Sequence, residues 1–415
     1  MRLPPALRHR DFDLYWFGVV FSQIGTRGTV AANLYQVYEL SRSTAITGLV
    51  GLAQAVSLLV LSPLGGAYAD RLDRRRLLQA TQLLALIVAG GLAVVTELGR
   101  ATTAEVLVCV LLTTAAGTFD QPARQALIPA MVPRRELPQA FALLNPSREL
   151  AVLTGPALAG LFIAIHGPGL MYAADAATYA VLVVVLGLLR IPRLVPDRHQ
   201  PVLRSIVAGA RFVRRRPTIW LMMSLDLSAT LFGAYRVVLP ALTLTVLHAG
   251  PTAYGLLSSA PSAGALLATW PVVHLVGRRT GTGRILLAAS AGYGVATLFL
   301  AQSRLLLLAL LAGLLVGAFD ALATTIRQAA VQLETPDEMR GRVSSIYQMA
   351  SRGGPAFGDT IIGSFASLVG PISALSLGSL VPIGYAALLY ARSSRLRDYT
   401  AVRQDDEDLT SVTPT

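Results

Sequence analysis

Residues 44–69 run on without one charged side chain, and then six of the seven residues from Asp70 to Arg76 are charged before a second apolar run begins. A helix needs about 20 apolar residues to cross the hydrocarbon core of a bilayer. The runs 44–69, 77–96, 285–301 and 305–326 reach or approach that length. In lipid every backbone group must be satisfied within its own segment, so such runs predict membrane-spanning helices and exclude an ordinary soluble domain. Composition agrees: 14% of the residues are charged, where soluble domains carry about 25%. The predicted fold class is an all-α membrane protein with twelve transmembrane helices in two pseudo-symmetric six-helix bundles.

The first six spans are read at 12–37, 44–69, 77–98, 102–126, 138–166 and 169–190. The second six are read at 217–247, 253–277, 284–302, 304–330, 341–368 and 371–391. This gives an N-terminal bundle over 1–190 and a C-terminal bundle over 217–391. The linker 191–216 is rich in Pro and Arg, and 203–215 fits an amphipathic helix on the membrane surface. The polar tail 392–415 ends in an acidic run and is expected to be disordered.

Every basic residue is Arg, and the net charge is +12. With the N-terminus in the cytoplasm, 26 Arg fall on that side and only Arg42, Arg100 and Arg304 on the other. Basic loops stay cytoplasmic, so the protein is expected in the cytoplasmic (inner) membrane with both termini cytoplasmic. The opening charge block then lies in the cytoplasmic loop between spans 2 and 3. The same partition explains the basic charge without nucleic acid. Cys109 is a single cysteine in an apolar span and makes no internal disulfide. The first apolar stretch is long and contains Arg27, and it is read as a retained helix rather than a signal peptide. The five His lack metal-ligand spacing, no catalytic triad spacing appears, and a nucleotide-binding loop needs a Lys that the chain lacks. No metal, cofactor or enzymatic activity is expected.

The halves echo each other. Gly117–Asp120 (GTFD) recurs at Gly317–Asp320 (GAFD), Val132–Leu137 at Thr335–Met339, and Gly155-Pro156 at Gly354-Pro355, all at offsets of 199 to 203 residues. Two homologous halves with a site between them near the midplane are a transporter architecture.

Gly66-Ala-Tyr-Ala-Asp70-Arg71-Leu-Asp73-Arg74-Arg75 resembles the loop between helices 2 and 3 that marks the major facilitator superfamily, departing from it at Tyr68 and Asp73. The resemblance implies a gating latch formed by Gly66, Asp70, Arg71, Asp73 and Arg74, with Asp70 facing the N-terminal end of helix 11 across the two halves. Ala151–Gly160 (AVLTGPALAG) is similar to the helix 5 motif of the superfamily's antiporters, with Gly155, Pro156 and Gly160 permitting close packing and a bend. The segments LSRSTAITGL, ADRLDRRRLL and TPDEMRGRVSSIYQM look most like the multidrug and siderophore (enterobactin) exporter branch.

Charge inside a bilayer is costly and therefore marks function. Arg27 of helix 1 is a candidate to attract an anionic substrate or to pair with a proton-carrying acid. Asp226 and Arg236, ten residues apart, would share a face of a continuous helix 7, roughly 15 Å apart along its axis. The candidate acids for proton coupling are Asp120, Glu149, Asp226, Asp320 and Asp359, with Asp226 ranked first as a cavity-facing group. Asp120 also has Arg124 one turn away on helix 4, and Asp175 of helix 6 reads as structural. The function expected is secondary active efflux of an organic solute (a drug, antibiotic or siderophore-like molecule) by proton antiport, through a monomer whose partners are the substrate, protons and lipid. Proton-coupled uptake by symport, a membrane-embedded lipid-handling protein and a non-transporting receptor are the alternatives.

Overall fold

Gly167 and Gly370 have φ values of 90° and 86°, a conformation that an L side chain resists. Each is followed by a Pro at the first helical position, Pro168 and Pro371, where the ring's fixed φ suits helix initiation. The same Gly-Pro device thus turns the chain between its fifth and sixth spans and between its eleventh and twelfth.

The computed structural model describes residues 5–69, 73–190, 202–276 and 281–400. Six helices make the first half: α1 (Arg10–Ser41), α2 (Thr44–Ala69), α3 (Arg74–Glu97), α4 (Thr103–Leu127), α5 (Leu137–His166) and α6 (Pro168–Leu188). The linker helix α7 (Val202–Arg215) follows. The second half holds α8 (Pro217–Phe232), α9 (Leu239–Ala241), α10 (Pro251–Val276), α11 (Thr282–Gln302), α12 (Leu306–Leu333), α13 (Asp337–Val369), α14 (Pro371–Arg392) and α15 (Ser394–Arg397). No strand occurs among the described residues. Eight of the helices, α2 to α6, α11, α12 and α14, are long and apolar enough to cross a membrane. Polar and charged side chains dilute α1, α10 and α13, and α8 is short. These four complete an arrangement consistent with twelve spans.

Helix pairing repeats between the halves. In the first, α1 packs on α5 and α6, α2 on α4, and α3 on α4 and α6. In the second, α8 packs on α13 and α14, α10 on α12, and α11 on α12 and α14. These are the same five pairings shifted by six spans. Across the halves the main contacts are α2 with α13 and α5 with α10.

Span 7 is not the continuous helix that apolar length suggested. Helix α8 ends at Phe232, residues 233–238 leave the helix, and the chain resumes in α9 and a π-helical turn, Leu242–Val246. Pro240 contributes to the break: it has no N–H for the carbonyl of Arg236, and its ring would strike that carbonyl. Gly233 caps α8, and the Tyr293 hydroxyl donates to the Gly233 carbonyl at 2.9 Å. Asp226 and Arg236 therefore do not share a helical face.

The tail also differs from the expectation up to residue 400. Ser393 caps α15, the Gly283 N–H donates to the Tyr399 carbonyl at 2.9 Å, and Arg284 pairs with Asp398 at 3.1 Å. Leu396 is buried with α8 and α11 side chains. An apolar residue and two backbone-directed contacts hold this strap, where composition alone showed a polar run.

Core packing divides along the membrane axis. At the arginine-poor end, where Arg42, Arg100 and Arg304 lie, one buried cluster runs through both halves: Tyr35 and Ile163 of the first meet Leu239, Tyr254 and Leu257 of the second. At the arginine-rich end the halves keep separate cores, one around Phe12, Leu127 and Leu182 and the other around Met222, Leu286 and Ile326.

Candidate functional site

Glycines let the halves touch at the arginine-poor end. A Cβ on Gly51 of α2 would lie 2.7 Å from Asp359 Cβ of α13, and one on Gly160 of α5 would lie 2.6 Å from Gly255 Cα of α10. Thr360 donates to the Gly48 carbonyl at 3.1 Å, and the Tyr254 hydroxyl to the Ala31 carbonyl at 2.9 Å. Below this seal Arg148, Glu149, Asp320 and Arg352 are exposed. The space between the halves therefore opens toward the arginine-rich end.

Three arginines converge on that space. The Cβ of Arg27, on α1, rests against Gly155 of α5, 2.6 Å from where a Cβ there would be. Arg148 sits two turns before Gly155 on α5, and Arg352 two turns before Asp359 on α13. Arg27 feels the charges of Arg148, Arg236, Arg352 and Glu149, and Arg352 that of Arg148. Among the described residues none of Arg27, Arg148 and Arg352 has a carboxylate within ion-pair distance. Guanidinium groups held together without matched acids attract an anion, and their planar forks suit oxygen acceptors.

Three acids, Asp120, Asp226 and Asp359, are each matched by an arginine. Arg327 of α12 pairs with Asp226 at 2.8 Å, with both side chains under 10% exposed. Thr324 accepts from the same guanidinium at 3.0 Å, Tyr347 accepts at 3.3 Å, and Ser351 donates to Asp226 at 3.4 Å. Asp226, ranked first as a cavity acid from sequence, is thus buried in an ion pair, because the broken span turns Arg236 away from it. Arg236 instead reaches Asp359 at 2.5 Å, directly beneath the seal. Asp120 is enclosed in the first half, bonded to Arg124 and accepting from Gln82 at 2.9 Å. Of the candidate acids only Glu149 and Asp320 are exposed, and Asp320 lies within range of the Arg327–Asp226 pair.

In the loop between α2 and α3, Gly66 belongs to α2, while Asp70 and Arg71 lie outside the described residues. Arg74 opens α3. Asp73 has a local role that the latch reading did not include: it caps α3, accepting from the N–H groups of Arg75 at 3.0 Å and Arg76 at 3.4 Å. Arg75 donates to the last carbonyls of α6, at Gly187 (2.6 Å) and Leu189 (2.7 Å). In the helix 5 motif, Gly155 packs against α1 and Gly160 against α10, with Pro156 inside the helix between them.

The sequence matches the transmembrane secretion effector family over residues 3–411. The chain belongs to this family of the major facilitator superfamily. Enterobactin exporters are similar to it: that of Citrobacter koseri is 27% identical over 372 residues, covering 85% of each chain. That of Salmonella typhi is 26% identical over 361 residues, covering 85% of this chain and 86% of the relative. The fold is similar to the nucleoside transporter NupG (TM-score 0.69, 16% identity, 94% of this chain and all of that one). It is also similar to a bacterial homologue of the lysosomal transporter Spinster in an inward-facing, unoccupied conformation (TM-score 0.70, 16% identity, 95% and 99% covered).

As a member of this secretion family the protein is a multi-pass membrane transporter of a small molecule. Its geometry adds what the family assignment alone does not: a space sealed at one end by glycine contacts and lined by arginines of α1, α5 and α13.

Proposed function

We propose that the chain is a secondary exporter in the cytoplasmic membrane, with both termini cytoplasmic, moving an acidic, oxygen-rich organic solute outward in exchange for protons. In this reading the bundles 1–190 and 217–391 rock about the space between them, joined by the linker 191–216, while the tail 392–415 lies on the cytoplasmic side. The structure then corresponds to the state open to the cytoplasm. The observation that carries the reading is the convergence of Arg27, Arg148 and Arg352 without matched acids in a space open to the arginine-rich end. The similarity to enterobactin exporters supports a catechol-bearing solute, whose oxygens accept from guanidinium groups. Asp320 and Glu149 are the acids exposed beside the arginines in the solute space. The latch of Asp70, Arg71 and Arg74 closes the cytoplasmic mouth against the start of α13 in the opposite state.

Proteoliposomes with an acidic lumen test this, using enterobactin, 2,3-dihydroxybenzoate and tetraphenylphosphonium as probes. Antiport drives the catechols into the lumen against the proton flow, and Arg27→Gln lowers that uptake. Uptake of the cation in preference to the catechols, or solute movement in the direction of proton flow, overturns the proposal.

A further inference from the structure

Helix α1 carries a second, wholly internal polar line. Ser22, Thr26, Thr29, Asn33 and Gln36 follow one another at three- and four-residue spacing and are buried or half-buried. They form a single stripe about 21 Å long at a rise of 1.5 Å per residue. The stripe faces away from the cavity. At one end Ser22 donates to Gln82 at 3.3 Å and accepts from Arg124 at 3.4 Å, and Gln82 donates to Asp120 at 2.9 Å. At the other end the Tyr172 hydroxyl donates to Gln36 at 2.7 Å, and Gln36 donates to Thr96 at 3.2 Å.

Between these ends sits Asp175 of α6, 0% exposed. Thr178 donates to its Oδ1 at 3.3 Å, and Thr26 shares a 2.9 Å hydrogen bond with the neighbouring Tyr179 hydroxyl. Among the described residues its Oδ2, Thr29 Oγ1 and Asn33 Oδ1 make no well-formed hydrogen bond, though the Thr29 and Tyr179 hydroxyls lie close enough to act on the carboxyl. A Cβ on Gly25 would lie 2.5 Å from Asp175 Oδ1, so α1 presses directly on the carboxyl. Among the described residues no basic side chain lies within ion-pair distance of it. The titratable or charged groups facing this region are Tyr179 on α6 and, a turn or more along the stripe, Asp120 and Arg124 on α4. Helix α3 offers only uncharged Gln82, Ala85 and Ala89 there, and Arg27 on α1 rests against α5 instead. An isolated ionised carboxylate in such surroundings is too costly to persist, and a protonated one is not.

We propose that Asp175 is a proton-carrying acid of this transporter and that the α1 stripe is the proton's route, kept apart from the arginine-lined solute cavity. The inference rests on the proton-exchange reading above. In the transfer step the carboxylic O–H bond of Asp175 breaks, and its proton passes to a hydroxyl oxygen of the Thr26–Tyr179 pair. That hydroxyl releases its own proton to water at the arginine-rich end of the stripe, and a carboxylate remains at Asp175. One helix then bears both functions. Arg27 touches the solute space, while Thr26 and Thr29 on either side of it touch the proton line, so a shift of α1 against α6 links the two.

The test uses the full chain in liposomes with an entrapped pH dye, enterobactin as the probe, and the variants Asp175→Asn and Asp175→Glu. The Asn variant is expected to lose about tenfold or more of pH-gradient-driven flux. It is also expected to keep exchange of labelled for unlabelled enterobactin, which needs no net proton movement, within about twofold. Asp175→Glu retains driven flux. Infrared difference spectra should show a protonated-carboxyl carbonyl band in the wild type that is missing in Asp175→Asn. Unchanged driven flux in Asp175→Asn, or driven flux and exchange falling together, overturns the assignment. If the wild type moves solute without protons, the exchange reading itself fails. The infrared band then decides alone: a band that Asp175→Asn abolishes and rising pH removes upholds the acid, and its absence overturns it.

Discussion

Adding one methyl group at Gly160 should unseat the closed end of the transporter. The Cβ of an alanine there would lie 2.6 Å from both Gly255 Cα and the Pro251 carbonyl oxygen. Carbon atoms in contact sit about 3.5–4.0 Å apart, so α5 and α10 must separate by about 1 Å. The obstructing atoms are backbone, and no rotamer relieves the clash. Overpacking of this kind costs about 1–3 kcal/mol, which shifts the equilibrium between sealed and parted shapes by roughly five- to 150-fold. The assay is a spin-label distance measurement between Ile165 and Leu368, both highly exposed near the arginine-poor end, with Cys109 replaced by serine. Gly160→Ala should move the distance distribution toward longer values. The control is Gly91→Ala, where a Cβ meets nothing within 4 Å. A folded Gly160→Ala protein with wild-type distances would refute the claim that glycine contact holds the seal.

Arg236→Gln removes the partner of Asp359, whose carboxyl is 2% exposed. Stranding a buried charge costs about 3–5 kcal/mol, so the melting temperature in detergent should fall clearly, and Asp359→Asn in the same chain should restore part of it. Asp226→Asn strands Arg327 in the same way, and Asp226→Asn with Arg327→Gln should be more stable than Asp226→Asn alone. At the tail strap, hydrogen bonds from Arg397 and then Arg284 hold the Asp398 carboxyl below its ordinary value. The native value lies below the unfolded one, so the stabilisation is complete above about pH 4 and fades as pH falls further. Burial pushes Tyr399 up to about 12 and keeps it neutral through that range. Hydrogen exchange over 394–400 should quicken below about pH 4 in the wild type, and Asp398→Ala should be fast at every pH.

The apolar spans and the twofold echo were legible because each follows from a local rule: apolar length, and repeated words such as GTFD and GAFD. The break in span 7 was written in Gly233 and Pro240, but proline alone does not decide it. Pro146, Pro156, Pro261, Pro271, Pro355 and Pro382 all lie inside continuous helices. What differs is a glycine seven residues earlier whose carbonyl is taken by Tyr293, a partner 60 residues away. Charge pairing was illegible for the same reason. Asp120 and Arg124 are one turn apart on one helix, and their bond follows from spacing. Asp226–Arg327 and Arg236–Asp359 join residues 101 and 123 positions apart, and no periodicity announces them. The cavity arginines were visible individually, but only helix packing brings Arg148 and Arg352 to Arg27. Asp175 read as structural because its distinguishing property is the absence of a cation, which is a property of its neighbours.

The two halves share their helix pairing but not their use of charge. The second half settles its buried acids in ion pairs, Asp226 with Arg327 and Asp359 with Arg236, and such pairs change little when a proton arrives. In the first half Asp120 has its Arg124, but Asp175, fully enclosed, has none. A buried acid without a cation is the one whose charge state and packing must change together, because ionising it demands that water or a basic group come near. Motion of α1 against α6 is the cheapest way to allow this, since Gly25 already closes on the carboxyl. That same motion carries Arg27. The fold is symmetric, yet among the described residues only the first half places a lone acid and a cavity arginine on opposite faces of one helix contact, so if the proposed proton exchange holds, movement should begin there and reach the second half through the glycine seal.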